Sequence, residues 1–434
     1  MTLLIISPDY SSHLLPLATL GTAWRDAGDR VVVATGPATA DIVESFGFER
    51  INLQLGKGSN PGVIRAEQQP TGEDNALRGF FDATRRGMVE TLAFQAEARL
   101  SDLMWEPVRV AREVQAVIAE IQPDAIVVDH LAFSARLALV AAGVPYADVV
   151  LGHPSALPVG DEVYGFPPAW PEAFAPTAEE LRMLRELCDR VSESFTAEWN
   201  AALAELAPDA QPSAGAFGEH GELLLLNYPA ELSPPERTAI LPKHRFLGSA
   251  VREEAPDAEV DAWLAASEAP FVYVSFGSFL SVRADVLARV CAALELVGIR
   301  GAIAVGSADR AELGELPEDW LVREFLPQVT LLGRAAATVT HGGNNSVTES
   351  MTAGVPLVVL PFSTDQFAGA AALEDAGFGI ALAPNTATVV ELADAVRGAL
   401  DLPARSALLG LSAELRQEAG SRRALSAVTS VSTS

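Results

Sequence analysis

Short, unbroken apolar runs alternate with helical stretches along most of this chain, and that alternation constrains its fold more than any other feature. Residues 3–7, 31–34, 125–128 and 147–151 read as strands in the first half, with helices at 17–27, 38–46, 109–121 and 133–142. The pattern resumes at 223–226, 271–275, 301–305, 337–340 and 357–360, with helices at 285–296, 346–352 and 366–376. Runs without polar alternation are covered on both faces, and a strand–helix–strand succession pairs its strands in parallel. The expectation is an α/β chain with two open, parallel-sheet domains.

A chain of 434 residues exceeds one ordinary core. The Pro, Ser and Gly content of 208–220 marks a linker, which puts the expected domains at 1–212 and 213–434. The Ser/Thr-rich tail at 426–434 is expected to fray, while the last helix can pack back on the first domain. Ligands of open parallel sheets sit beyond the carboxyl ends of the strands. The cleft between the two domains is therefore the expected site.

Composition excludes several classes of function. With 57 acidic against 30 basic residues the formal net charge is −27, which repels nucleic acid and anionic membranes. The first apolar run stops at Pro8 and Asp9, too short to cross a bilayer. Two cysteines, Cys188 and Cys291, stand far apart in helical patterns and suit buried thiols in a reducing compartment. These features set the expectation of a cytoplasmic protein. The six histidines are scattered without metal-ligand spacing, so no metal is expected.

The most informative segment is Thr340-His341-Gly342-Gly343-Asn344-Asn345-Ser346-Val347-Thr348-Glu349, a strand end turning into a helix. Its glycines allow a ligand close to the backbone. The helix N-terminus supplies unpaired N–H groups and a dipole that favours an anion. Ser275-Phe276-Gly277-Ser278 is a second strand end with small and hydroxyl residues, and two such turns suit a diphosphate better than one. No Lys follows either Gly-rich segment, which excludes an ATPase P-loop, and the first strand lacks a Gly-x-Gly-x-x-Gly fingerprint. His13 lies in the loop after the first strand. Asp129 ends the strand at 125–128, where it either orients a catalytic histidine or caps the next helix.

Residues 325–379 resemble the nucleotide-sugar signature of family 1 glycosyltransferases of the GT-B class. Phe325-Leu326-Pro327-Gln328, His341 through Ser346, Glu349, Gly354-Val355-Pro356, Pro361 and Asp365-Gln366 match in order. His13-Leu14-Leu15-Pro16 and Gly28 resemble the family's opening. The resemblance implies two Rossmann-like domains, the first binding an acceptor and the second a nucleoside-diphosphate sugar. It implies that Phe325 stacks near the base and that the backbone at Gln328 bonds it. His341, Gly343, Asn345, Ser346 and Ser278 would hold the diphosphate, Glu349 the ribose, and Asp365 and Gln366 the sugar. His13 would deprotonate the acceptor. Two departures stand out: Asn345-Ser346 replaces the Gly-Thr of many bacterial relatives, and Gly369 stands where Asn is frequent. The segment 132–142, where plant relatives place the orienting Asp, contains none, and Asp129 is the nearest candidate.

The resulting expectation is an inverting glycosyltransferase moving a hexose to a hydroxyl of a natural product, without an obligatory cofactor. The donor is a UDP-sugar or a dTDP-sugar, with UDP-glucose favoured because Asp365 suits a fully hydroxylated hexose. The acceptor is a polyketide, a macrolide or an aminosugar- or aminocyclitol-bearing compound, and Phe80, Phe81, Met88, Trp105, Phe133 and Trp170 are the expected wall of its pocket. A homodimer is admitted alongside the monomer. The rival readings are a nucleotide-sugar epimerase of the same architecture and an inactive partner of another transferase.

Overall fold

The computed structural model describes residues 1–60, 73–101, 104–277 and 283–432. Seven strands form the first sheet: β1 (Thr2–Ile6), β2 (Arg30–Thr35), β3 (Glu49–Asn52), β4 (Ala125–Asp129), β5 (Ala147–Val150), β6 (Leu223–Leu226) and β7 (His244–Phe246). They lie in the order β3-β2-β1-β4-β5-β6-β7, all parallel. Six form the second: β8 (Phe271–Ser275), β9 (Arg300–Ala304), β10 (Leu321–Arg323), β11 (Ala337–Thr340), β12 (Leu357–Val359) and β13 (Gly379–Ala381). Their order is β10-β9-β8-β11-β12-β13, again parallel.

Each sheet changes winding direction once. In the first, β1 pairs with β2 on one side and β4 on the other, with Ile6 opposite both Ala34 and Val128. In the second, β8 lies between β9 and β11, with Ser275 opposite both Ala304 and Thr340. At such switch points the loops leaving the two strands part, and a crevice opens at the carboxyl edge. His13 follows β1 and Asp129 ends β4; Gly277 follows β8 and His341 follows β11. The topology alone brings the two members of each pair together.

Two expectations are corrected here. Leu223–Leu226 does not open the second sheet: it pairs with β5, Ala147 opposite Leu223, and carries β7 beyond it. A four-residue apolar run satisfies a buried position in either sheet, and nothing in its composition selects a partner. Sheet membership changes only between Phe246 and Phe271. The tail is likewise ordered where it is described. Gly420–Ser432 is a helix whose Ala424 and Val428, one turn apart, are buried beside Leu14 and Leu17 of the Ser11–Asp26 helix. Apolar spacing of four outweighs the Ser/Thr content around it.

Among the described residues no helix is long and apolar enough to cross a membrane, and no group of three or more His, Cys, Asp or Glu is placed to hold a metal ion.

Candidate active site

A cavity of about 500 Å³ lies between the carboxyl edges of the two sheets. His13, in the first turn of the Ser11–Asp26 helix, points its Nδ1 at Asp129 Oδ2, 2.7 Å away. Asp129 is 1% exposed, and its Oδ1 accepts the Leu131 N–H at 2.8 Å. It caps no helix: Phe133–Ala142 begins after Ala132 without a side-chain cap. Burial pulls the His13 pKa down, but the Asp129 charge, its hydrogen bond and the Asp365 charge together outweigh that, and the net shift is upward. With Nδ1 held by a carboxylate, Nε2 is the ring nitrogen left to accept a proton.

A second polar cluster underlies this pair. Arg136 and Asp148 are both fully buried, with Arg136 Nε 3.1 Å from Asp148 Oδ1. Arg136 Nη1 donates to the His130 carbonyl at 2.9 Å, and Asp148 Oδ2 accepts the Gly221 N–H at 2.6 Å. His130 lies 3.5 Å from Asp148, and burial and the nearby Arg136 charge lower its pKa. Residues 129–131 are thus clamped from below.

Across the cavity, the His341 imidazole fits between two glycines. A Cβ on Gly277 would stand 2.8 Å from its Cε1, and one on Gly343 2.5 Å from its Nε2. Gly277 also has a φ of +68°, which L side chains rarely adopt. Burial lowers the His341 pKa to about 4, against a hydrogen bond to the Ser275 backbone, so the ring is neutral near pH 7. The Asn344–Ala353 helix starts beside it, and its first-turn N–H groups have no intrahelical acceptors. Ser346 Oγ donates to Gln328 Oε1 at 3.3 Å, and Gln328 Nε2 donates to Glu349 Oε2 at 2.5 Å. Glu349 Oε1 accepts from Arg252 Nη1 at 2.7 Å. Burial raises the Glu349 pKa, opposed by Arg252 and Gln328. Phe325, 56% exposed, forms part of the same wall. Ser278 lies outside the described residues.

The two halves meet directly at the cavity. Asn344 Nδ2 donates to the Leu151 carbonyl at 2.7 Å and to the Asn227 carbonyl at 2.9 Å. Asn345 Nδ2 reaches the Ser12 carbonyl at 3.3 Å. The His153 N–H donates to Asp365 Oδ2 at 2.6 Å, while Asp365 Oδ1 accepts from Thr364 Oγ1 at 3.0 Å. Thr364 has a φ of +52°. For a β-branched residue that is a strained conformation, and it stands beside the carboxylate that faces the cavity.

Not every expected residue faces the cavity. Gln366 is turned away: its Oε1 accepts the Phe362 and Ser363 N–H groups at 3.0 and 3.2 Å, and its Nε2 donates to Ser363 Oγ. It staples its own loop. None of the six expected pocket residues lines the cavity. Phe133 and Met88 are buried with Phe195 and Trp199 in the helical core of the first half, where Trp170 also packs. Trp105 covers the other face of the first sheet, Phe81 is buried, and Phe80 packs on the core of the second half. Large apolar side chains gain most from full burial, and here the cores take them. On the side of the first sheet the wall is built from Leu131, Ala156, Tyr164, Gly165, Phe166 and Arg99. Arg252, Tyr273 and His153 also escaped the sequence reading, and Asn344 was read in its motif without a role. Of those that escaped, His153 alone had a local signal, a strand-end histidine before a proline.

Residues 181–412, more than half of the chain, match the sequence profile of the family described as UDP-glucoronosyl and UDP-glucosyl transferase. The oleandomycin glycosyltransferase of Streptomyces antibioticus is 30% identical over 213 residues, 48% of this chain and 49% of that protein. A PGL/p-HBAD biosynthesis glycosyltransferase of Mycobacterium tuberculosis is 28% identical over 293 residues, 65% of this chain and 64% of its own. The chain thus spans about half to just under two thirds of the length of these relatives. The crystal structure of the glycotransferase of kitacinnamycin superposes with a TM-score of 0.68 at 21% identity, over 98% of this chain and 97% of that one. That likeness establishes the two-domain, GT-B architecture.

Proposed function

The chain belongs to the UDP-glucoronosyl and UDP-glucosyl transferase family, and from that premise we propose that it transfers a hexose from a nucleoside-diphosphate sugar to a hydroxyl of a small natural product. The observation that carries this reading is the opposition across one cavity of the His13–Asp129 pair and the N-terminus of the Asn344–Ala353 helix. The acceptor O–H gives its proton to His13 Nε2, and its oxygen attacks the anomeric carbon. The bond from that carbon to the phosphate oxygen breaks, and the diphosphate leaves with the electron pair. The helix N-terminus receives the developing negative charge. A single displacement from one face inverts the anomeric centre.

His341 adds a second element. The neutral ring carries a single N–H, which is directed to the Ser275 backbone. To donate to a phosphate the other nitrogen must take up a proton, which the anion's charge favours. The donor base is uracil or thymine, stacked against Phe325, with the ribose near Glu349. In the coupled network the Glu349 oxygens retain lone pairs beyond those used by Arg252 and Gln328. Asp365 keeps the same spare capacity toward the hexose hydroxyls.

Replacing His13 with Ala tests the division of labour. Turnover on an alkyl alcohol should fall about 10²–10⁴-fold, the range for losing a general base, while donor affinity stays close to the parent value. A more acidic phenol should recover part of the loss. Undiminished turnover of the alcohol by the variant would remove His13 from the mechanism, and a product with retained anomeric configuration would exclude single displacement. Incubation with donor alone separates the epimerase reading, which needs no acceptor.

A further inference from the structure

Arg99 and Arg252 are the two arginines on the cavity wall. Arg252 is consumed by Glu349 and Glu254, at 2.7 and 2.8 Å. Arg99 is paired with no carboxylate among the described residues. It projects from the Met88–Ser101 helix one turn beyond Gln95, whose Oε1 accepts the Thr364 N–H at 3.3 Å, so this face of the helix looks onto the cavity. Its guanidinium stands 5.1 Å from the centre of the Tyr164 ring, which stacks in turn on Phe217 at 3.9 Å. Gly165 makes room beside it: a Cβ there would fall 2.8 Å from Arg99 Nη1. The Tyr164 hydroxyl, pushed up by burial, feels the charges of Arg99, Asp365 and Asp129 together. Tyr164 lines the same cavity as His13 and Asp129.

The acidic groups of this half of the cavity are already engaged. Asp129 holds His13 and the Leu131 N–H; Asp365 holds the His153 N–H and the Thr364 hydroxyl. An anionic acceptor would find a fixed guanidinium here. In a chain with a net charge of −27, a cation on the cavity wall with no carboxylate partner among the described residues draws an anion toward this side of the cavity. Building on the transferase reading, we propose that Arg99 and Tyr164 form an acceptor subsite for a carboxylate or a comparable anionic group, set apart from the hydroxyl that receives the sugar.

The test is equilibrium binding of 6-hydroxy-2-naphthoic acid and of its methyl ester to the UDP-saturated protein, followed by naphthalene fluorescence. The acid should bind about tenfold more tightly than the ester, the scale of one charge-assisted hydrogen bond. Arg99→Gln should bring that ratio to about one, and Arg99→Lys should restore part of it. Equal affinities in the parent, a ratio unchanged by Arg99→Gln, or no binding of the acid each overturns the proposal. Glycosylation of the ester without acid preference would remove the subsite and leave the transferase reading standing. Acid preference without turnover of any donor would do the reverse.

Discussion

Asp129 has both carboxylate oxygens in use, and the two bonds have different consequences. The Leu131 N–H fixes the side chain in its turn; the His13 bond fixes the tautomer and raises the imidazole pKa against its burial. Asp129→Asn removes the charge but keeps the shape. Without the charge, burial dominates and the His13 pKa falls. The acid limb of the kcat/KM profile should therefore move to lower pH, while the plateau drops because the base is weaker and its tautomer is no longer set. The measurement is kcat/KM against pH for both proteins. An acid limb that stays in place or moves upward would show that the titrating group is not His13. The sequence supplied this pair only in part. His13 and Asp129 were named from strand ends, but their contact follows from β1 and β4 being neighbours, which two apolar runs over a hundred residues apart do not reveal.

At the scale of elements, the informative anomaly is Asp148 in the middle of β5, a strand with four buried residues. A carboxylate in a central strand is costly unless paired, and its partner Arg136 comes from the Phe133–Ala142 helix that crosses from β4 to β5. Removing one member leaves a buried charge uncompensated, so Asp148→Asn should cost about 3–5 kcal/mol of stability. Arg136→Met combined with Asp148→Leu should recover much of that, because no charge is stranded. Urea denaturation of the three proteins checks the order. A double variant weaker than Asp148→Asn would show that the pair contributes net stability. The same scale explains what composition could and could not give. Strands covered on both faces are unmistakable as apolar runs, and the His341-Gly342-Gly343 turn is marked by its residues. The partner of Leu223–Leu226 and the destinations of Phe133 and Trp170 depend on which surfaces meet, and apolar residues carry the same signal whichever core they enter. Arg99 failed to register for the opposite reason: a lone arginine on a polar helix face is ordinary until the opposite wall is known.

At the scale of the whole molecule, the cavity is closed by contacts that belong to neither half. Asn344 bonds two carbonyls at the ends of β5 and β6, Asp365 takes the His153 N–H, and Arg283 with Asn385 holds the Thr84 carbonyl at 3.2 and 2.9 Å. The described chain crosses between the halves twice, once after β7 and again before the Gly420–Ser432 helix, which packs its Ala424 and Val428 on the first sheet's side. The first half is therefore discontinuous in sequence while the second is one continuous stretch, and modular engineering must respect that. A second half taken from a relative and joined at a single cut near residue 212 would deprive the first sheet of its own β6 and β7 and replace the closing helix with a foreign one. Two cuts, one between Phe246 and Phe271 and one just before Gly420, would keep each core whole. The two-cut hybrid should be recovered in the soluble fraction with a cooperative melt, and the single-cut hybrid should aggregate. Equal recovery of both would mean that β6, β7 and the final helix are dispensable ornaments of the first half rather than parts of its core.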